Sequence, residues 1–148
     1  MNNWLSNPTF VAYTIACVVL CCNLLFLWTY SGAARNKAKS TPNAEDVARF
    51  GATLAPIDPP AIARVLRAHS NAQANIYPFL ALGLVYVLAG GAFWPGTTYF
   101  AIFCLARLLH SYAYLNAMQP SRTVSFVVGS LATFALMVHV VWVLIAAR

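Results

Sequence analysis

Four apolar stretches constrain the fold of this chain more than any other feature. They cover about residues 8–30, 66–91, 96–116 and 122–146, and each approaches or exceeds the ~20 residues with which a helix crosses a hydrocarbon core. Hydrophobic residues make up 61% of the chain and charged residues 8%, whereas soluble domains carry about 25% charged residues. The pattern predicts an all-α integral membrane protein, a bundle of four transmembrane helices in a single domain covering residues 1–148.

Local signals mark the helix starts and the connecting loop. Asn7 and Pro8 offer an N-cap and a first-turn proline for the first helix, and Ser121 offers a cap for the fourth. The segment of about residues 31–65 is rich in proline and is predicted to be a cytoplasmic loop with at most a short helix around 45–50.

The basic residues predict the orientation in the membrane. The second loop and the N-terminal segment carry no lysine or arginine. The basic residues lie in the first loop and after the third helix: Arg35, Lys37, Lys39, Arg49, Arg64 and Arg122. The positive-inside rule then places the first and third loops in the cytoplasm and both termini outside. A bacterial inner membrane and an endoplasmic reticulum membrane both fit this pattern. Three acidic residues interrupt the basic loop, so we expect no nucleic-acid partner.

The four cysteines all fall in predicted spans and show no metal-binding spacing and no disulfide framework. Cys17 and Cys21 share one helix face, which favours small packing residues over a reactive pair.

Polar residues at the mouth of the second helix form a stripe. Arg64, Arg67, Asn71 and Asn75 fall within about a quarter of the helix circumference at ~100° per residue. We call them the polar stripe. Because lipid offers arginine and asparagine no partner, such residues usually face the bundle interior and mark a site. The sequence therefore predicts that the polar stripe points inward.

The third helix carries a second polar face made of Arg107, His110 and Tyr114, spaced three and four residues apart. A charge near the middle of a span costs at least ~2.5 kcal/mol. Arg107 therefore needs a partner, and the acidic residues all lie in the first loop. An anionic ligand would supply the counter-charge; alternatively, Arg107 ties helices together through backbone carbonyls.

The start of the fourth helix offers a third group. With Ser121 as the cap, Arg122 and Thr123 lie in the first turn, where free N–H groups and the helix dipole favour an anion. A snorkelling interfacial arginine is the alternative. All these groups belong to the predicted cytoplasmic half, so the sequence predicts a cationic pocket without carboxylates, suited to a small soluble anion that meets an apolar partner from the membrane.

These residues resemble the family of membrane-associated proteins in eicosanoid and glutathione metabolism (MAPEG), and within it the type 1 microsomal prostaglandin E synthase branch. The resemblance covers nearly the whole chain. It rests on Asn43-Ala-Glu-Asp46, Arg67-Ala-His-Ser-Asn71, Ile76-Tyr77-Pro-Phe-Leu80, Arg107-Leu-Leu-His110-Ser-Tyr-Ala-Tyr114 and Arg122-Thr-Val-Ser125.

The resemblance implies a homotrimer of four-helix subunits with glutathione bound between neighbours near the cytoplasmic side. It implies conjugation, peroxidase or isomerase chemistry on a lipophilic substrate. By position it also implies which residues hold glutathione: Arg35, Arg67, Asn71, Arg107, His110, Tyr114 and Arg122. Arg122 and Thr123 would lie at the sulfur and stabilise its thiolate, so the nucleophile would belong to glutathione and no metal or protein nucleophile would be needed.

Three positions depart from the family pattern. Ala74 stands where the family usually has a glutamate, Ser70 replaces an arginine of the prostaglandin branch, and Phe126 replaces a tyrosine. These changes favour glutathione chemistry in general over a prostaglandin substrate. The lost carboxylate also leaves an alternative open, a non-enzymatic lipid-binding scaffold of the same family. A small transporter has little support, because no acidic residue lies in a predicted span.

Overall fold

The computed structural model describes residues 4–146 as an assembly of helices. A single 3-10 turn, Trp4–Ser6, precedes four long helices: α1 (Pro8–Ala38), α3 (Pro60–Leu88), α4 (Phe93–Leu115) and α5 (Ser121–Ala146). A short helix, α2 (Ala44–Phe50), lies between α1 and α3, flanked by the two-residue strands β1 (Ser40–Thr41) and β2 (Thr53–Leu54). The ends of the predicted domain, residues 1–3 and 147–148, lie outside the described residues.

Helix α1 begins as the sequence predicts and ends later. The Asn7 side-chain oxygen accepts hydrogen bonds from the amides of Thr9, at 2.9 Å, and Phe10, at 3.2 Å. The helix then continues to Ala38, where Lys39 takes a left-handed conformation (φ 47°) and closes it. The prediction that the loop begins at residue 31 was therefore wrong, because the alanines after Gly32 are strong helix formers.

The connection between α1 and α3 is folded rather than extended. Ser40 pairs with Thr53 and Thr41 with Leu54 in a short parallel ladder, and α2 lies within the segment that this ladder closes. The predicted short helix is confirmed. Helix α3 begins at Pro60, earlier than predicted, because prolines are well suited to a first helical turn.

The core lies where α1, α3, α4 and α5 meet. Leu20, Ile76 and Leu136 are fully buried there, and the Phe79 and Phe103 rings stack with centroids 3.7 Å apart. The helices also present large apolar side chains on their outer surface, particularly along α5: Leu131, Phe134, Val138, Val141, Trp142 and Ile145. A water-soluble monomer rarely exposes so continuous an apolar surface.

Two of the helices, Pro8–Ala38 and Ser121–Ala146, are long and apolar enough to cross a membrane, by length and composition alone. Helices α3 and α4 carry the polar residues of interest, such as Arg67 and Arg107, which lower their hydropathy. The outcome is an all-helical protein whose two most apolar helices suit a bilayer.

Candidate functional site

Arg107 is the most deeply buried charged residue that the structure describes. Its side chain is 1% exposed, and its Nη1 donates a hydrogen bond of 3.4 Å to the Oδ1 of Asn71. The bond joins α4 to α3 and brings together two groups that the sequence placed on separate helices. A guanidinium has no acceptor atom, so the Asn71 amide must present its oxygen to Arg107.

The rest of the Arg107 guanidinium is surrounded by rings and has no polar partner. Its Cζ lies 5.9 Å from the Phe103 ring centroid and 5.8 Å from that of Phe126. Its Nε and Nη2 are buried and make no hydrogen bond within residues 4–146. Aromatic faces offset part of the cost of a buried cation. Among residues 4–146, no carboxylate pairs with the Arg107 guanidinium, and the anionic ligand inferred from the sequence stays a prediction.

His110 links α4 to the start of α5. Its Nδ1 lies 2.9 Å from the backbone oxygen of Arg122. A carbonyl only accepts, so Nδ1 carries the proton, and in the neutral ring Nε2 is then an acceptor. Nε2 is buried and finds no partner in the described chain. The buried Ser125 hydroxyl lies 2.8 Å from the Ser121 oxygen and 3.1 Å from the Arg122 oxygen, bracing the same turn.

Arg122 lies at the cytoplasmic end predicted for the site and contacts Tyr114. The Arg122 Cζ is 4.9 Å from the Tyr114 ring centroid, and the His110 and Tyr114 rings are 5.6 Å apart. When the Gln119 amide presents its oxygen to Arg122, that oxygen accepts from Nη2 at 2.8 Å and Nε at 3.2 Å. Its nitrogen then donates to the Thr123 hydroxyl at 3.0 Å. Arg122 and Thr123 therefore belong to one hydrogen-bonded group that contains no carboxylate.

The start of α5 differs from the prediction. Ser121 is the first helical residue rather than the cap, and the turn before it already supplies acceptors. The Arg122 amide donates to the Met118 oxygen and the Val124 amide to the Pro120 oxygen. The prediction of free N–H groups was wrong for these two amides, because residues 118–120 curl into the helix start. The Arg122 guanidinium adds a full positive charge at this end.

Arg35 has a carboxylate partner that the sequence did not reveal. Its Nη1 and Nη2 donate to Asp58 at 2.6 and 3.1 Å, and both side chains are about three-quarters buried. The expectation of a pocket without carboxylates is therefore wrong at this position. The end of α1 and the folded connection enclose a cavity of about 360 Å³, lined by Arg35, Lys39, Thr41 and Asp46 among others.

The polar stripe lies at the edge of the core rather than within it. Arg67 is exposed, and Arg64, Asn71 and Asn75 are half-buried. The Asn75 amide donates to the Asn71 backbone oxygen at 2.8 Å. Among the residues that the structure describes, Asn71 is the member of the stripe whose side chain hydrogen-bonds to Arg107 on α4. The prediction of an inward stripe was wrong for Arg67, which is exposed on α3, as is Ala74.

Two residues of the site were missed by sequence reasoning. Ser125 ends the Arg122-Thr-Val-Ser125 motif, and its spacing of four from Ser121 places both serines on one helix face. Asp58 lies 23 residues from Arg35, and no local spacing rule pairs residues at that distance. The sequence offered one indication of its position, which is that Asp58 directly precedes the prolines at the start of α3.

The fold and the site define a class first: an all-helical protein with membrane-compatible helices and a cluster of arginine, histidine and amide side chains between α3, α4 and α5. The chain belongs to the MAPEG family, whose model matches residues 13–142. The resemblance inferred from the sequence motifs is confirmed.

Named relatives agree with this assignment. The chain is 35% identical to prostaglandin E synthase of Equus caballus over 130 residues, covering 84% of this chain and 85% of the relative. It is 30% identical to prostaglandin E synthase of Homo sapiens over 139 residues, covering 93% and 91%. It is 34% identical to microsomal glutathione S-transferase 1 of Rattus norvegicus over 134 residues, covering 87% and 86%. Relatives with two different named activities thus match the chain almost equally well.

Proposed function

We propose that this protein is a glutathione-dependent membrane enzyme that acts on a lipophilic electrophile or peroxide. Relatives named prostaglandin E synthase and glutathione S-transferase match most of the chain, so transferase, peroxidase and isomerase activities all fall within the proposal. Glutathione is the cofactor or co-substrate, and the second substrate arrives through the lipid.

The proposed architecture is a single domain of four transmembrane helices, α1, α3, α4 and α5, assembled as a homotrimer. The basic first and third loops lie in the cytoplasm of a bacterial or endoplasmic reticulum membrane, and the site opens towards that side. The exposed apolar surface of α5 supports burial in lipid. The exposed Arg67 on α3 supports a neighbouring subunit or ligand at that face, because lipid cannot satisfy a guanidinium.

The single observation that carries the proposal is the chemistry of the donor set around Arg122. Arg122 has no carboxylate within the described chain, rests on the Tyr114 ring, and is fixed through its backbone oxygen by His110. Its Gln119 partner is a neutral amide, so the positive charge of the guanidinium is not neutralised and can hold an anion. Glutathione brings two carboxylates and a thiol, which fits a site rich in donors and poor in acceptors.

In the proposed mechanism the chain's residues bind and orient, and bound glutathione supplies the nucleophilic sulfur. Arg35, Arg67, Asn71, His110, Tyr114 and Arg122 hold the tripeptide, with Arg107 behind them. Arg122 and the Thr123 hydroxyl stabilise negative charge on the sulfur. A free thiol has a pKa of about 8.5, and lowering it by about two units takes about 2.7 kcal/mol. One guanidinium in a site that excludes water can supply that amount.

Calorimetry on the full-length protein in detergent tests the proposal. Glutathione should bind, and release of the thiol proton should make the heat depend on the ionisation enthalpy of the buffer. S-methylglutathione, which has no thiol proton, should bind without that dependence. A lipid-binding scaffold would show no glutathione heat, and this result would overturn the proposal.

A further inference from the structure

The Asn71 amide is oriented by Arg107, and this orientation determines what Asn71 can recognise. Its Oδ1 is occupied by Arg107 Nη1 at 3.4 Å, and its Nδ2 has no hydrogen-bond partner among residues 4–146. Asn71 is half-buried, so the free Nδ2 stands within reach of a ligand. An amide held in this way keeps its Nδ2 donor directed away from Arg107 and available to a ligand.

Arg107 cannot itself reach a ligand in this arrangement. Its side chain is 1% exposed, packed between the Phe103 and Phe126 rings, with the side-chain-free Gly129 beside its Nε. The role that remains for the guanidinium is to set the direction of the Asn71 amide. Its charge strengthens that hold, because a hydrogen bond from an ionised donor is stronger than a neutral one.

We propose that Arg107 is a positioning residue that locks Asn71 as a hydrogen-bond donor, so that Asn71 recognises a carboxylate of glutathione. The inference rests on the proposed function and deepens it by assigning the polarity of one contact. It also distinguishes the two residues of α3. Asn71 binds the ligand through an oriented amide, whereas Arg67 contributes only an exposed positive charge.

Asn71→Asp reverses this polarity without a change of shape. The carboxylate gives Arg107 the partner that its buried guanidinium lacks, so the thermal midpoint of the protein should not fall and is expected to rise. The ligand then meets an acceptor instead of a donor, and the Kd for glutathione should rise at least about tenfold. Higher stability with weaker binding is a combination that a merely structural residue would not produce.

Asn75→Asp is the matched control. Asn75 lies one turn further along α3, is also half-buried and donates to a backbone oxygen, but has no arginine on its side-chain oxygen. The same added charge there should weaken glutathione binding less and should not raise the thermal midpoint. Arg107→Met removes the lock: the protein should stay folded, since an unpaired charge leaves the core, and should lose affinity several-fold.

Titrations with glutathione and with its diamide, in which both carboxylates are amides, show whether Asn71 recognises a carboxylate. The preference for glutathione over the diamide should be large in the wild type and smaller in Asn71→Asp and Arg107→Met. Any one of four results would overturn the inference alone. Asn71→Asp could bind glutathione as tightly as the wild type, or could have a lower thermal midpoint. Asn75→Asp could lose as much affinity as Asn71→Asp, or Arg107→Met could keep the wild-type affinity. Failure of the wild type to bind glutathione would overturn the proposed function with it.

Discussion

Two polar clusters, one partly buried and one more deeply buried, lie at opposite ends of the helices, and their hydrogen bonding differs. At the end where α3 meets α4, the Tyr86 hydroxyl donates to the Ala92 oxygen at 3.0 Å, and the Tyr99 hydroxyl lies 3.1 Å from His139 Nδ1. At the other end, Arg107 and His110 keep buried nitrogen atoms without partners. Every unpaired buried polar atom costs stability. The paired cluster therefore behaves as packing. We propose that the second cluster supports the ligand site instead, through the Arg107 contact to Asn71 and the His110 contact to Arg122.

The largest effect that separates the two clusters should come from Arg122→Ala. If Arg122 stabilises negative charge on the glutathione sulfur, turnover of a generic electrophile or hydroperoxide should fall by about 10²–10³-fold. The Kd for glutathione should rise far less, because the other donors remain. Steady-state kinetics and calorimetry on the same preparation measure both.

Arg49→Ala provides the control for that experiment. Arg49 is an exposed arginine on α2 that rests on the Phe50 ring and lies outside the site cluster. Its removal should change neither turnover nor affinity. Equal turnover in wild type and Arg122→Ala would rule out the thiolate mechanism.

A smaller effect of the opposite kind is expected for Tyr99→Phe in the paired cluster. Loss of the hydroxyl bonded to His139 should lower the free energy of unfolding by about 1 kcal/mol. Glutathione affinity and turnover should not change. Thermal unfolding followed with and without glutathione measures the loss of stability. A loss of glutathione affinity in Tyr99→Phe would mean that the two clusters are coupled, and it would contradict the division into a packing cluster and a site cluster.

The smallest effect is expected at the ion pair of Arg35. Asp58→Asn frees the Arg35 guanidinium, which is then available to a glutathione carboxylate, and affinity should improve about two- to threefold, an effect below 1 kcal/mol. Glu45→Gln removes an exposed acidic charge from α2 and should give no comparable gain. Weaker binding in Asp58→Asn would show instead that the pair holds Arg35 in its binding position.

Much of the fold could be predicted from residue pattern. Apolar length predicted the four long helices, and the Asn7-Pro8 cap predicted the start of α1. The boundaries facing the loop were wrong on both sides, since α1 runs to Ala38 and α3 starts at Pro60. Apolar runs measure the length that suits lipid, whereas helix propensity and capping decide where a helix ends, so a helix can continue beyond its apolar part.

The candidate site was predicted only as a set of residue types. Helical spacing placed Arg107, His110 and Tyr114 on one face, and the structure brings His110 and Tyr114 to Arg122. Spacing could not predict that Arg67 is exposed while Asn71 reaches Arg107, because both belong to one stripe. Those outcomes depend on the angle at which a second helix packs.

The sequence by itself determined the membrane class of this protein, its helices and its MAPEG membership, because apolar length, charge and motif are properties of the chain read in order. Only the tertiary structure decided which cations have partners. It paired Arg35 with Asp58, left Arg122 without a carboxylate, and turned the Asn71 oxygen to Arg107. The physical reason is that a buried charge is satisfied or left free by groups distant in sequence, and packing alone brings those groups together.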